Sequence, residues 1–304
     1  RSAGAGYNSK GRLLPLGVHA PMSGPGLALG AAAVWGASDF CGGLVTRRAS
    51  SALIVTIAHG LGLLLLLLAL IVLHPGAPSQ QTTIYGLLAG LAGGVGLLFL
   101  YKGLSLGSMG LVAALSGVLT AVVPVVASLF SYGHPTALQS MGFAVAIVAI
   151  WLIAYAPGSG AHPHGLGFGA ASGICFGFLL YFLHLGGKES LLWALTFSRI
   201  GSVTCAVAFA VYIAWRGTLP LRNPGVRWAA ILPLAAVAGL LDVSGNLLYT
   251  ASSLAGRLDV AAVLSSLYPA GTILLAIWLL KERATRSQAT GMALAVLAVA
   301  MISA

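Results

Sequence analysis

The chain has 304 residues, of which 59% are hydrophobic and 7% are charged, and its formal net charge is +10. A water-soluble domain carries about 25% charged residues, so this composition excludes a soluble protein and predicts a chain that folds in a lipid bilayer. The basic residues stand singly or in pairs between apolar runs, which argues against nucleic-acid binding and favours contact with anionic lipid headgroups. Three cysteines, Cys41, Cys175 and Cys205, lie in apolar runs without metal-ligand spacing, so we expect neither a metal site nor a cofactor.

The first 25 residues differ from the rest of the chain. They mix polar residues with Gly and Pro, and they lack the apolar core of a signal peptide. We predict a disordered tail over residues 1–25, a first five-helix repeat over 26–156, a linker over 157–164 and a second five-helix repeat over 165–304.

Ten apolar stretches follow in chain order, and each is long enough to cross a hydrocarbon core of about 30 Å as a helix. They are continuous rather than alternating, so the predicted fold is an all-α membrane protein of ten transmembrane helices. Pro124 and Pro269 are expected to interrupt the fourth and ninth spans. The predicted spans are 27–46, 52–73, 83–104, 109–131, 138–155, 165–185, 191–215, 228–252, 260–280 and 287–303.

An internal repeat relates the two halves of the chain. Shifted by about 149 positions, residues 89–149 overlay residues 238–298 without a gap, and Gly96 falls on Gly245. With five spans in each half, the second half enters the membrane from the opposite side. The sequence therefore predicts two inverted repeats, an arrangement from which alternating-access transporters are built.

Motifs in both halves resemble those of a known family. Residues 34–40 are VWGASDF, and residues 262–269 are AVLSSLYP, followed by KER at 281–283. Together with the repeat, these motifs resemble the EamA-type transporters of the drug/metabolite transporter superfamily, over residues 27–303. The resemblance implies two EamA domains, ten helices, a central cavity lined mainly by helices 1, 3, 4, 6, 8 and 9, and a multi-pass protein of the plasma membrane. At 132–134 the chain has YGH where the second half has KER.

Polar side chains inside the predicted spans are candidates for the transport site, because a charge in lipid is costly. Asp39 follows Trp35 by one helical turn, and Asp242 shares a face with Asn246 and Tyr249. A tryptophan next to a carboxylate can hold an apolar or cationic solute, and the alternative is a structural carboxylate bonded to polar or basic neighbours. The predicted substrate-binding residues are Trp35, Asp39, Tyr101, Thr120, Asp242, Asn246, Tyr249 and Tyr268.

The energy source follows from a missing motif. No nucleotide-binding loop of the type G-x-x-x-x-G-K-[ST] is present, so we do not expect ATP to drive transport directly. The alternative energy source is a proton gradient, which requires a group that takes up and releases a proton inside the membrane. Asp242 is favoured, because Asn246 and Tyr249 can hydrogen-bond to it. The coupling candidates are Asp242, Asp39, His59 and Arg199.

The sequence thus predicts a secondary transporter that exports small metabolites or drugs by alternating access, and a proton gradient is its expected energy source. It is not expected to be an enzyme. Its expected partners are a small-molecule substrate and the lipid bilayer, with no nucleic acid, in a monomer or homodimer. A membrane-embedded enzyme and a non-transporting scaffold are the alternatives. A turnover assay distinguishes the enzyme, and solute flux into proteoliposomes distinguishes the scaffold.

Overall fold

The computed structural model describes residues 23–46, 49–106, 109–154, 164–217, 228–280 and 285–303. Within these ranges the chain forms eleven helices and no strand, which confirms the predicted all-α class. The helices are α1 (Gly24–Thr46), α2 (Ser51–Leu73), α3 (Gln80–Leu106), α4 (Met109–Tyr132), α5 (Ala137–Ala154), α6 (His164–Gly187), α7 (Leu191–Trp215), α8 (Trp228–Ala255), α9 (Leu258–Ser265), α10 (Tyr268–Leu280) and α11 (Arg286–Ser303). Residues 1–22 of the predicted tail (1–25) and residues 157–163 of the predicted linker (157–164) lie outside the described residues. Residues 24–25 belong to α1 and residue 164 belongs to α6, so at these positions the predicted tail and linker are wrong.

Six of these helices, α1, α2, α3, α6, α7 and α8, are long and apolar enough to cross a bilayer. Shorter apolar stretches lie at Leu115–Ser131 in α4, Ala137–Leu152 in α5 and Ala289–Ile302 in α11. Large apolar side chains such as Phe130, which is 88% exposed, cover the outside of the bundle. An outer surface of this kind suits lipid rather than water, so the chain is a multi-pass membrane protein, and the count of ten spans stays a prediction.

The predicted ninth span is two helices instead of one. α9 ends at Ser265, residues 266–267 form a turn, and α10 begins at Tyr268. Pro269 explains the break, because it has no N–H to donate to the carbonyl of Ser265 four residues earlier. Pro124, by contrast, lies inside an uninterrupted α4, so the prediction that it interrupts the fourth span is wrong.

The helices of the two halves make equivalent contacts. α3 packs along α6, and its counterpart in the second half, α8, packs along α1. α2 packs on α7, and α5 packs on α11, so these helices meet their own counterparts. This pairing is what two repeats related by a twofold axis produce, and it supports the two-repeat organisation. The opposite orientation of the repeats stays a prediction.

Close helix crossings at the centre depend on residues without a side chain. A Cβ atom at Gly36 would lie 2.7 Å from the carbonyl oxygen of Tyr268, so α1 and α10 cross backbone to backbone. One at Gly90 would overlap the backbone of Ser198, so α3 and α7 cross in the same way. Small residues let helices in lipid approach this closely, and here they bring polar side chains of several helices within reach of one another.

The packing of α6 on α4 provides a test with a matched control. A Cβ atom at Gly173 would lie 2.5 Å from the carbonyl oxygen of Ser116, whereas one at Gly167 would meet nothing within 4 Å. We expect Gly173→Ala to lower the free energy of unfolding by about 1–3 kcal/mol, the usual cost of overpacking. Gly167→Ala should keep or raise it, because alanine favours a helix. Thermal unfolding in detergent compares the two variants, and equal midpoints would contradict this account of the packing.

Candidate functional site

A cavity lies at the centre of the bundle. Side chains of α1, α2, α3 and α4 line it together with side chains of α6, α7, α8 and α10. Counted together with the open solvent at its mouth, the space is about 570 Å³. Because both repeats contribute to its walls, the cavity lies where a solute site of a repeat-built transporter is expected.

Eight of the ten predicted site residues line this cavity. Two of them, His59 and Arg199, were predicted as coupling candidates. The other six were predicted to bind substrate, and they are Trp35, Asp39, Thr120, Asp242, Asn246 and Tyr268. The fold thus brings side chains from both ends of the sequence to one surface, while their roles in binding and coupling stay predictions.

The other two predicted residues, Tyr101 and Tyr249, do not line the cavity. Tyr249 is fully buried, and its hydroxyl donates to the carbonyl oxygen of Leu180 at 3.1 Å. Its ring centroid lies 5.9 Å from that of Trp35, and Trp35 and Leu180 both line the cavity, so Tyr249 packs directly behind the lining. Tyr101 is also buried and lies against Gly42 of α1. Both tyrosines are therefore packed behind the residues that line the cavity.

A charged cluster forms one part of the lining. Nη2 of Arg199 and Oδ2 of Asp242 form an ion pair, and Nε2 of His59 lies 3.5 Å from the same oxygen. Nδ2 of Asn246 also donates to this oxygen at 3.5 Å, which is long for a hydrogen bond. The side chains of Arg199 and His59 are 4% and 5% exposed, against 25% for Asp242. The carboxylate is therefore the part of the cluster that reaches most openly into the cavity.

Asp39 is the second carboxylate of the lining. No hydrogen bond or ion pair joins it to another of the described residues, although it is close enough to Asp242 for their charges to interact. Its neighbour Ser38 fixes α1 on α8, because the Ser38 hydroxyl donates to the carbonyl oxygen of Ala238 at 2.9 Å. Asp39 is thus held firmly in the wall without a counterion of its own.

Glycines of α2 and α3 allow the helices around Arg199 to pack closely. A Cβ atom at Gly62 of α2 would lie 2.6 Å from Cγ2 of Val243 and 3.6 Å from Nε of Arg199. On the other side, Gly90 of α3 allows the backbone of α7 to approach at Ser198. α7 therefore fits tightly between α2 and α3, and the Arg199 guanidinium extends toward Asp242 on α8.

A network of hydroxyl groups joins the two halves beside the cavity. Tyr268 donates to the Ser116 hydroxyl at 3.5 Å, and Ser116 donates to Ser172 at 3.2 Å. The Thr120 hydroxyl donates to the carbonyl oxygen of Ser116 at 2.8 Å, so it is occupied within its own helix. The oxygen of the Thr120 hydroxyl can still accept, and it lies within hydrogen-bonding reach of the Tyr268 hydroxyl. Thr120 therefore belongs to the network that connects α4 with α6 and α10.

Sequence reasoning missed the apolar part of the lining and two serines. Leu97 and Phe176 face the cavity, and nothing in an apolar run distinguishes them from lipid-facing residues. Ser198 and Ser202 also line it. They lie one residue before and three residues after Arg199. A buried guanidinium needs polar neighbours, and this requirement could have identified the two serines from the sequence.

Comparison with known proteins defines the class, a membrane transporter built of two repeats. The family model described as the EamA-like transporter family matches residues 22–155 and again residues 164–304. The chain belongs to the EamA-like transporter family, which confirms the resemblance inferred from its motifs. Among the solved structures, one crystal structure of a protein has a TM-score of 0.68 with 18% identity, covering 92% of this chain and 98% of that chain. This likeness shows the fold alone, and the curated protein sequences gave no match.

The Arg199–Asp242 pair leads to a test of stability. Arg199→Gln leaves the Asp242 carboxylate without its counterion, and breaking a buried pair in this way costs about 3–5 kcal/mol. Because Asp242 is 25% exposed, we expect a loss of unfolding free energy at the lower end of that range. The double variant Arg199→Gln/Asp242→Asn should recover part of the loss, since no lone charge remains. Thermal midpoints of the two single variants and the double variant measure this, and strictly additive losses would contradict a stabilising pair.

Proposed function

We propose that this chain is a secondary transporter that exports small metabolites or drugs across the plasma membrane by alternating access. The observation that supports this most directly is the central cavity, which both repeats line and which contains charged side chains. Charged residues within membrane spans are expensive, and they mark solute or ion pathways. The family of the chain points to the same function.

The proposed transport cycle uses two inverted repeats of five spans, with α9 and α10 counted as one interrupted span. In such a pair, each repeat can adopt the conformation of the other, so that a central site opens to one side and then to the other. The paired contacts, α3 with α6 and α8 with α1, support this proposal. They are the interfaces that would exchange roles between the two states.

The energy source that we propose is a proton gradient, with a carboxylate of the cavity as the proton carrier. The ion pair with Arg199 makes Asp242 a poor carrier, because a proton on Asp242 would leave the guanidinium without its counterion. The hydroxyl of Tyr249, which favoured Asp242 from the sequence, is occupied by Leu180. Asp39 has no counterion among the described residues, so its charge needs a proton or a solute. We therefore assign proton coupling to Asp39. Asp242 instead holds the Arg199 guanidinium in place.

Flux measurements in proteoliposomes test this function. A ligand is first identified by thermal shift, because a compound that binds only the folded state raises the apparent stability. Its labelled form is then followed in vesicles of both orientations, with and without an imposed pH gradient. Accumulation against the gradient of the ligand supports a secondary transporter. Binding of the ligand without any flux would favour the non-transporting scaffold. Chemical conversion of the ligand would indicate an enzyme.

Variants of the two carboxylates separate coupling from transport. We expect Asp39→Asn to abolish accumulation driven by the pH gradient while solute still equilibrates down its own gradient. Asp242→Asn should slow both processes, because it disturbs Arg199. Glu189→Gln is the matched control, since this exposed carboxylate follows α6 outside the cavity, and its driven flux should equal that of the parent. If Asp242→Asn alone removes the driven component, Asp242 is the coupling group.

A further inference from the structure

We infer that the cavity binds protonated amines, meaning organic monocations with N–H donors on an apolar or aromatic body, and that Asp39 receives the ammonium group. This inference deepens the proposed transport function and rests on it for the claim that the amine is moved. The binding site itself is defined by charge, by an unpaired acceptor and by an apolar wall, and each of these can be tested without transport.

The charges of the cavity favour one cation. Asp39 and Asp242 supply two carboxylates, and Arg199 supplies one guanidinium, so one negative charge remains when His59 is neutral. Arg199 and Asp242 are paired with each other, so the remaining charge belongs to Asp39. In a space with little water a lone charge attracts an opposite one strongly. A neutral or anionic ligand would not itself neutralise Asp39, so the carboxyl group would have to keep a proton.

An unpaired acceptor in the same wall favours a ligand with N–H groups. Asn246 is 4% exposed, it lines the cavity, and its Oδ1 has no hydrogen-bond partner among the described residues. Its Nδ2 faces Asp242 at 3.5 Å, so Oδ1 is the end of the amide turned away from that carboxylate. A buried acceptor without a donor costs free energy, and a primary ammonium can supply one of its three N–H donors. A quaternary ammonium has none to supply.

The remaining wall suits an apolar or aromatic body. Trp35 lies one helical turn before Asp39, and a ring next to a carboxylate can hold the body of an amine by cation–π contact and by packing. Its position is fixed, because its ring centroid lies 5.9 Å from that of Tyr249 and the indole lies against Gly245. Leu97 and Phe176 extend this apolar surface on α3 and α6.

A proton and an ammonium group would compete for Asp39. Either one neutralises the carboxylate, and both together would leave an excess positive charge beside Arg199. Binding of one amine therefore displaces one proton, which gives an exchange ratio of one to one. The titratable and charged groups around Asp39 are His59 on α2, Tyr101 on α3, Arg199 on α7, Asp242 on α8, Tyr268 on α10 and Cys41 on α1 itself.

Isothermal titration of the full-length protein in detergent tests the ligand class. The probes are 2-phenylethylamine, the neutral 2-phenylethanol, the anionic 3-phenylpropanoate and trimethyl(2-phenylethyl)ammonium. We expect the amine to bind at least about tenfold more tightly than each of the other three, since a hydrogen bond to a charged group contributes on that scale. Equal affinity for the amine and the alcohol would overturn the inference, and so would preference for the carboxylate.

Variants identify the residues that hold the ammonium. Asp39→Asn should weaken binding of the amine by at least about tenfold, and Asp39→Glu should retain it. Asn246→Ala should weaken the primary amine but not the quaternary ion. Glu189→Gln should bind as the parent does. If Asp39→Asn does not give a monodisperse protein, the Asn246→Ala comparison carries the test, and equal effects on both cations would overturn the assignment.

The pH dependence provides a readout that a structural role would not change. The amine stays protonated below about pH 9, so a fall in its affinity toward low pH reports a proton on the protein. We expect a fall of up to about tenfold per pH unit, together with release of up to about one proton per amine in buffers of different ionisation enthalpy. Asp39→Asn should show neither effect, and an unchanged pH profile in this variant would overturn the exchange at Asp39.

The outcomes for binding and transport can be told apart. Flux of another solute without amine binding would overturn the ligand class and leave the transport function standing. Amine binding without flux in any vesicle would overturn the transport function and leave the amine site standing.

Discussion

The ion pair between Arg199 and Asp242 is the interaction on which the centre of this protein depends. A guanidinium inside a bilayer is tolerated only when a partner and a polar surrounding compensate it. α7 brings the arginine and α8 brings the carboxylate, so two helices of the second half must stay in register for the pair to persist. The cavity lies around this pair. The cavity lining and a stabilising contact between helices therefore share the side chains of Arg199 and Asp242.

Helix packing around the pair follows from the absence of a hydrophobic effect between helices in lipid. Close van der Waals contact and internal hydrogen bonds must replace it, and the chain supplies both. Glycines such as Gly36 and Gly90 permit backbone contact, and hydroxyl groups bond to carbonyl oxygens across helices, as Ser38 does to Ala238. Thr120 and Thr250 instead bond one turn back in their own helices, so that these two buried hydroxyl groups have an acceptor.

The sequence predicted the parts of this structure that arise from composition and local spacing. Continuous apolar runs predicted helices, and the cost of charge in lipid directed attention to Asp39, Asp242 and Arg199, all of which line the cavity. Tyr249 shows the limit of helical spacing, because a shared helix face does not tell whether a side chain reaches the cavity or is covered by residues of other helices, here Trp35 and Leu180. The pairing of Arg199 with Asp242, which moves the proposed proton carrier to Asp39, depends on a contact between helices that no spacing within one helix can reveal.

The turn at residues 266–267 has a mechanical consequence. Ser265, before the turn, donates to the carbonyl oxygen of Ala28 at 3.2 Å, and Thr272, after it, donates to that of Gly36 at 3.0 Å. α1 thus runs alongside the turn and is hydrogen-bonded to the chain on both sides of it. The two acceptors are eight residues apart, or about 12 Å along the helix. Trp35 lies between the two acceptors. A change in the angle between α9 and α10 must either strain one of these hydrogen bonds or move α1. A movement of α1 would shift the Trp35 indole, which faces the cavity.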